Sequence, residues 1–196
     1  MTPQTFIFIG RSGCGKGTQA ALIQELIKQK DPTGEVSYIE TGAQFREFIK
    51  GSGFSNKLSN KIYENGERQP DFLAIWMWAH LLLEKFKGTE HLVFDGINRS
   101  LAEAMAFTTA LEFYGRRATI VFINVSREWS KTRLLERKRS DDINPAEVEK
   151  RLNWFDRDSA PAIAYFKVND KYDLIQVDGE RTIEEVHDDI VSRVSW

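Results

Sequence analysis

Between Gly10 and Thr18 the chain reads GRSGCGKGT, with glycines at 10, 13, 15 and 17 around Lys16. Glycines permit positive φ and let the main chain approach an anion closely. Successive amide N–H groups and the start of a helix then point at phosphate oxygens. Lys16 adds a mobile positive charge suited to the outer phosphates of a nucleoside triphosphate. The spacing Gly10-x4-Gly15-Lys16 fits a phosphate-binding loop, although Gly17 follows the lysine and the hydroxyl of Thr18 comes one place later than the general pattern puts it. Cys14 lies inside the cradle near a helix start. It is either a thiol of lowered pKa or a small residue that fits the loop.

Three further groups carry charge suited to phosphoryl chemistry. Thr41-Gly42 is followed by Arg46, and Asp95-Gly96-Ile97-Asn98-Arg99 follows an apolar run. Arg133 and Arg137 share a helix face, with Arg139 just before Asp141-Asp142 and Arg151 beyond them. A planar guanidinium grips phosphate oxygens in a bidentate way, and phosphoryl transfer depends on positioning and charge stabilisation. A carboxylate at the C-terminal edge of a parallel strand, as Asp95 would be, suits a metal-nucleotide.

In this order and with the ending GKGTQ, the groups resemble the adenylate kinase family of P-loop nucleoside monophosphate kinases. The resemblance covers nearly the whole chain. It implies ATP binding by Gly10, Gly13, Cys14, Gly15, Lys16, Gly17 and Thr18, with Arg133 over the donor base. It places the acceptor monophosphate against Thr41, Gly42, Arg46, Gln69, Gly96, Arg99 and Glu103. Lys16, Arg99, Arg137, Arg139 and Arg151 would act on the transferred phosphoryl, and Asp95 through the water shell of Mg2+ bound with ATP. AMP is the leading acceptor.

The sequence departs from that family in five places. Only Lys138 separates Arg137 from Arg139, so the lid shrinks to about residues 137–141, and a single cysteine excludes a four-cysteine zinc knuckle. Ala43 stands where an aspartate is common, and Ile97-Asn98 replaces Phe-Pro. Glu103 occupies the place of an adenine-reading glutamine; an ionised carboxylate only accepts, which suits guanine or cytosine, unless it points to solvent as an ordinary helix residue. Arg68 falls where small or apolar residues line the base pocket. A GMP or CMP kinase, or a nucleotide-binding regulatory protein without catalysis, are the alternatives.

The elements that must hold these groups alternate. Apolar runs at Phe6–Ile9, Val36–Glu40, His91–Phe94, Ala118–Val125 and Tyr172–Val177 read as buried parallel strands. Helices are expected from near Lys16 to Lys30, with Ala21, Leu22, Leu26 and Ile27 inward, and over 43–50, 56–65, 71–87, 101–114, 129–138, 147–167 and 182–194. Pro161 should kink or divide the helix over 147–167. The expected fold is α/β: a five-stranded parallel sheet of P-loop NTPase type with helices on both faces, in one domain, with a helical NMP-binding insertion at about 41–70.

A net charge of −2 gives no bulk attraction to nucleic acid or membrane. One cysteine permits no internal disulfide, no apolar run is long enough to span a bilayer, and the first strand begins at once without a leader pattern. A cytoplasmic enzyme of small nucleotides is expected, with a monomeric or unspecified assembly. His80, His91 and His187 make no metal-ligand spacing, and Trp76, Trp78 and Trp154 read as packing residues.

Overall fold

The computed structural model describes residues 1–137 and 144–196. Arg139 and the expected lid beyond Arg137 lie outside the described residues. Five strands, β1 (Thr5–Gly10), β2 (Val36–Glu40), β3 (His91–Asp95), β4 (Thr119–Asn124) and β5 (Asp173–Asp178), form one parallel sheet in the order β2-β3-β1-β4-β5. The chain lays β2 and β3 on one side of β1 and β4 and β5 on the other. Connections therefore diverge at the carboxyl end of β1, where an open parallel sheet forms a crevice.

The central strands lack hydropathic alternation because both of their faces are covered. Phe6, Phe8, Val93, Val121 and Ile123 pack against α1 (Lys16–Lys30) and α9 (Ile183–Ser192). Ile7, Ile9, Leu92, Phe94, Ile120 and Phe122 face the opposite layer, which includes α4 (Asp71–Lys85), α5 (Leu101–Phe113) and α8 (Ala160–Lys167). Burying each such side chain contributes roughly 1.5–3 kcal/mol. The inward face of α1 differs from expectation: Ala20, Ile23 and Ile27 are buried, Leu22 and Leu26 are half-buried, and Ala21 is exposed. The helix starts at Lys16, and the i, i+3, i+4 row from Gln19 sets the face.

Two short helices, α2 (Thr41–Phe48) and α3 (Phe54–Glu64), intervene between β2 and α4. After β4 come α6 (Arg127–Arg137) and α7 (Pro145–Trp154), the latter capped by Asn144, which accepts from the Ala146 amide at 3.0 Å. The helix expected over 147–167, to be kinked or divided at Pro161, is interrupted just before that residue. A π-helical turn, Phe155–Ser159, separates α7 from α8, and Pro161 sits in the first turn of α8. Proline lacks an N–H, and its ring excludes the carbonyl four residues back, so the helix widens just before it.

Candidate active site

The cradle residues meet the sheet at its carboxyl edge. A side chain on Gly10 would place its Cβ 2.5 Å from the Ile123 carbonyl oxygen and 2.6 Å from Cys14 Sγ, so only glycine fits. Gly15, at φ 97°, forms the N-cap of α1 and turns the loop into the helix. Gly17 serves differently from the expected positive φ. It lies inside α1, and its missing Cβ leaves open the space beside Asp95 Oδ2, which a Cβ would approach to 3.3 Å.

Lys16 Nζ donates to the carbonyl oxygens of Gly10 and Arg11, both at 2.9 Å, which holds the ammonium over the loop. Cys14 faces inward. Its amide donates to Arg11 O at 3.2 Å and closes the turn, and its side chain belongs to the core beneath α1. Burial pushes the Cys14 thiol up, against the opposing pull of Lys16, so the reading as a thiol of lowered pKa is overturned and the loop-fitting one stands.

Glu40 and Asp95 are register partners at the ends of β2 and β3, so their side chains emerge together at the edge facing the cradle. Asp95 is 8% exposed, and burial pushes its carboxyl up despite Lys16 and Arg99 nearby. Tyr38 Oη donates to Asp95 Oδ2 at 3.3 Å, and burial together with the Asp95 charge raises the phenol. Glu40 Oε1 accepts from Arg46 Nη2 at 2.8 Å. Neither Glu40 nor Tyr38 was singled out from the sequence, although Glu40 ends a strand just as Asp95 does.

Thr41 ties α2 to the turn after β3: its Oγ1 donates to Gly96 O at 2.7 Å. Arg99 Nε reaches the same carbonyl at 2.7 Å, and a Cβ on Gly96, which has φ 76°, would lie 2.7 Å from Arg99 Nη2. Glycine at 96 thus gives the guanidinium its place. Asn98, which stands in the place of the family's proline, takes φ 58°, and Ile97 is buried.

Glu103 is 1% exposed, which excludes the solvent-facing alternative. Its Oε2 accepts from the Arg99 amide at 2.7 Å, while its own amide donates to Ser100 Oγ at 3.2 Å. Burial raises this carboxyl, and the Arg99 and Asn98 amides oppose that rise. Glu103 therefore pins the turn that carries Arg99. The spacing Ser100-x-x-Glu103 resembles a capping box and was available in the sequence as that signal. Gln69 is similarly engaged: its Oε1 accepts from Ser59 Oγ and its Nε2 donates to Ser59 O, both at 2.9 Å. Arg68 is held by Asp71 at 2.8 Å and Asp158 at 3.3 Å.

Two clefts result. One, about 560 Å³, is lined by Gly13, Gly15, Lys16, Gly17 and Thr18, by Tyr38, Glu40 and Asp95, and by Arg133 and Arg137. The other, about 360 Å³, is lined by Thr41, Phe45, Tyr63, Arg68, Gln69, Glu103 and Trp154. Gly42, Arg46, Gly96, Arg99 and Arg151 line both, so three arginines stand at the junction. Arg133 lies with its guanidinium carbon 4.9 Å from the centre of the Trp129 ring. The expected site residues within the described chain thus gather at one edge of the sheet. Gly10 and Cys14 support the loop from below.

The family model described as adenylate kinase matches residues 8–171. The chain is 30% identical over 185 residues to adenylate kinase of Flavobacterium psychrophilum, covering 92% of each chain. It is 31% identical to adenylate kinase of Phocaeicola vulgatus, with 96% of each chain covered. With adenylate kinase of Thermus thermophilus the identity is 33%, over 94% of this chain and 93% of the relative.

Proposed function

The chain belongs to the adenylate kinase family, and on that premise we propose that its two clefts bind ATP and AMP and carry the γ-phosphoryl directly between them. The protein is an ATP:AMP phosphotransferase. The observation that carries the mechanism is the junction of two clefts at Arg46, Arg99 and Arg151, with Lys16 on the side of the larger one.

The larger cleft takes the donor. Amides of the loop and the start of α1 meet its phosphates, and Lys16 neutralises the outer ones. Arg133 covers the donor base. AMP occupies the smaller cleft with its phosphate between the forks of Arg46 and Arg99. An oxygen of that phosphate attacks the γ-phosphorus. The bond to the β,γ-bridging oxygen breaks, its electron pair stays with the departing ADP, and a second ADP forms from AMP. Arg137 and Arg151 stabilise charge on the transferring group. No covalent enzyme intermediate is required.

Magnesium fits the residues present. Glu40 and Asp95 are two adjacent carboxylates, and Gly17 leaves room beside Asp95 Oδ2. One or two carboxylates with substrate phosphates are what a water-rich Mg2+ shell requires. When bound with ATP the ion would supply positive charge to the donor phosphates, and Asp95 and Glu40 would hold its waters.

Glu103 does not favour GMP or CMP. Its Oε2 is engaged by the Arg99 amide, which leaves it poorly placed as a bidentate acceptor for either base. Initial rates with Mg-ATP and AMP, GMP, CMP or UMP should favour AMP by about 10²-fold or more in kcat/KM. Equal turnover of GMP or CMP would return the acceptor assignment to Glu103.

A further inference from the structure

The π-helical turn Phe155–Ser159 touches both halves of the site through different residues. Arg11, the second residue of the cradle, reaches Asp156: Nη2 lies 2.5 Å from Asp156 Oδ1. The Arg11 guanidinium carbon also lies 4.4 Å from the centre of the Phe155 ring, which stacks at 6.4 Å on Phe122 of β4. Arg11 Nη1 is buried without a hydrogen-bond partner among the described residues, where Asp156 and the aromatic face stabilise this charge. The main chain of the same residue carries the carbonyl that accepts from Lys16 Nζ at 2.9 Å and from the Cys14 amide at 3.2 Å. Asp156 is fixed in turn by Arg127 at 2.9 Å.

Three residues along, Ser159 Oγ donates to the carbonyl oxygen of Arg99 at 3.1 Å. The main chain of Arg99 is thereby held at both ends, by Glu103 at its amide and Ser159 at its carbonyl. A regular α-helix places i and i+3 on the same face. The widened turn before Pro161 has a different pitch, and here Asp156 and Ser159 reach elements on opposite sides of the junction.

We propose that Asp156 and Ser159 are positioning residues of one turn, Asp156 setting the donor-phosphate cradle through Arg11 and Ser159 setting the acceptor arginine Arg99. Neither touches substrate. The proposal rests on the assignment of ATP and AMP to the two clefts. It makes the effects of the two residues separable, because each acts through its own contact.

The test compares the full-length wild type with Asp156→Asn and Ser159→Ala by equilibrium binding of ATP and AMP and by amide chemical shifts in the free protein. Asp156→Asn should weaken ATP about tenfold and AMP less than about twofold, with shifts concentrated at residues 10–16. Ser159→Ala should weaken AMP about threefold and leave ATP unchanged, with shifts at 96–99. Asp156→Glu, which retains the charge, should recover most of the ATP affinity. Changes that weaken both nucleotides alike, or shifts from Asp156→Asn that spare residues 10–16, would overturn the proposal. The shift maps are independent of nucleotide. The expected maps in a wild type that binds neither nucleotide would leave the wiring standing and remove the assignment of the clefts.

Discussion

Replacing Lys16 with methionine is expected to lower kcat by about 10³-fold or more while the protein stays folded. Methionine keeps the length of the side chain and removes its charge. Two losses combine. The ammonium no longer neutralises the outer phosphates as the bond to the leaving ADP breaks, and the carbonyls of Gly10 and Arg11 lose the donor at 2.9 Å that gathers the loop. The first loss acts on the transition state and the second on its positioning. Steady-state rates with Mg-ATP and AMP, alongside thermal unfolding, check this; a loss below about tenfold in a folded variant would remove Lys16 from the chemistry.

Asp95→Asn is expected to separate activity from stability. Turnover should fall by roughly 10²-fold because the variant loses a carboxylate for the water shell of the ion. Stability at neutral pH should rise, by about 3 °C in Tm. The sign follows from burial. The folded-state carboxyl is pushed above its ordinary range, so near and above a pKa of about 3.9 the folded chain binds more protons than the unfolded one. Stability from this group is complete below the unfolded pKa and is lost as pH rises through the raised folded pKa. Asparagine stays neutral throughout. The Tm advantage of the variant should therefore shrink in acid, and a variant that melts below wild type at pH 7 and above it at pH 4 would contradict this account of Asp95.

Much of the fold was legible because the decisive signals are local. Runs such as Ile120–Ile123 are buried on both faces, and the strand, glycines and lysine of the first thirty residues name their own structure. What stayed hidden depends on partners distant in sequence. The environment of Cys14 comes from the core beneath α1, and burial there outweighs the nearby helix start. The purpose of Gly17 lies in Asp95, across the crevice. Asp156 takes its part from Arg11, far away in the sequence. Glu103 is a different case: its capping partner Ser100 is three residues away, and the spacing is readable in the sequence. Glu40 likewise shares the strand-end position that identified Asp95.

The central claim is direct transfer between two nucleotides in adjoining clefts. Rapid acid quench of a single turnover with ATP labelled at the γ-phosphorus, excess enzyme and AMP tests it most directly. The account predicts that label moves from ATP to the β-position of ADP in one phase, with no acid-stable labelled protein at any time. Labelled protein that forms and decays at the rate of turnover, or label released as inorganic phosphate with AMP unchanged, would contradict it.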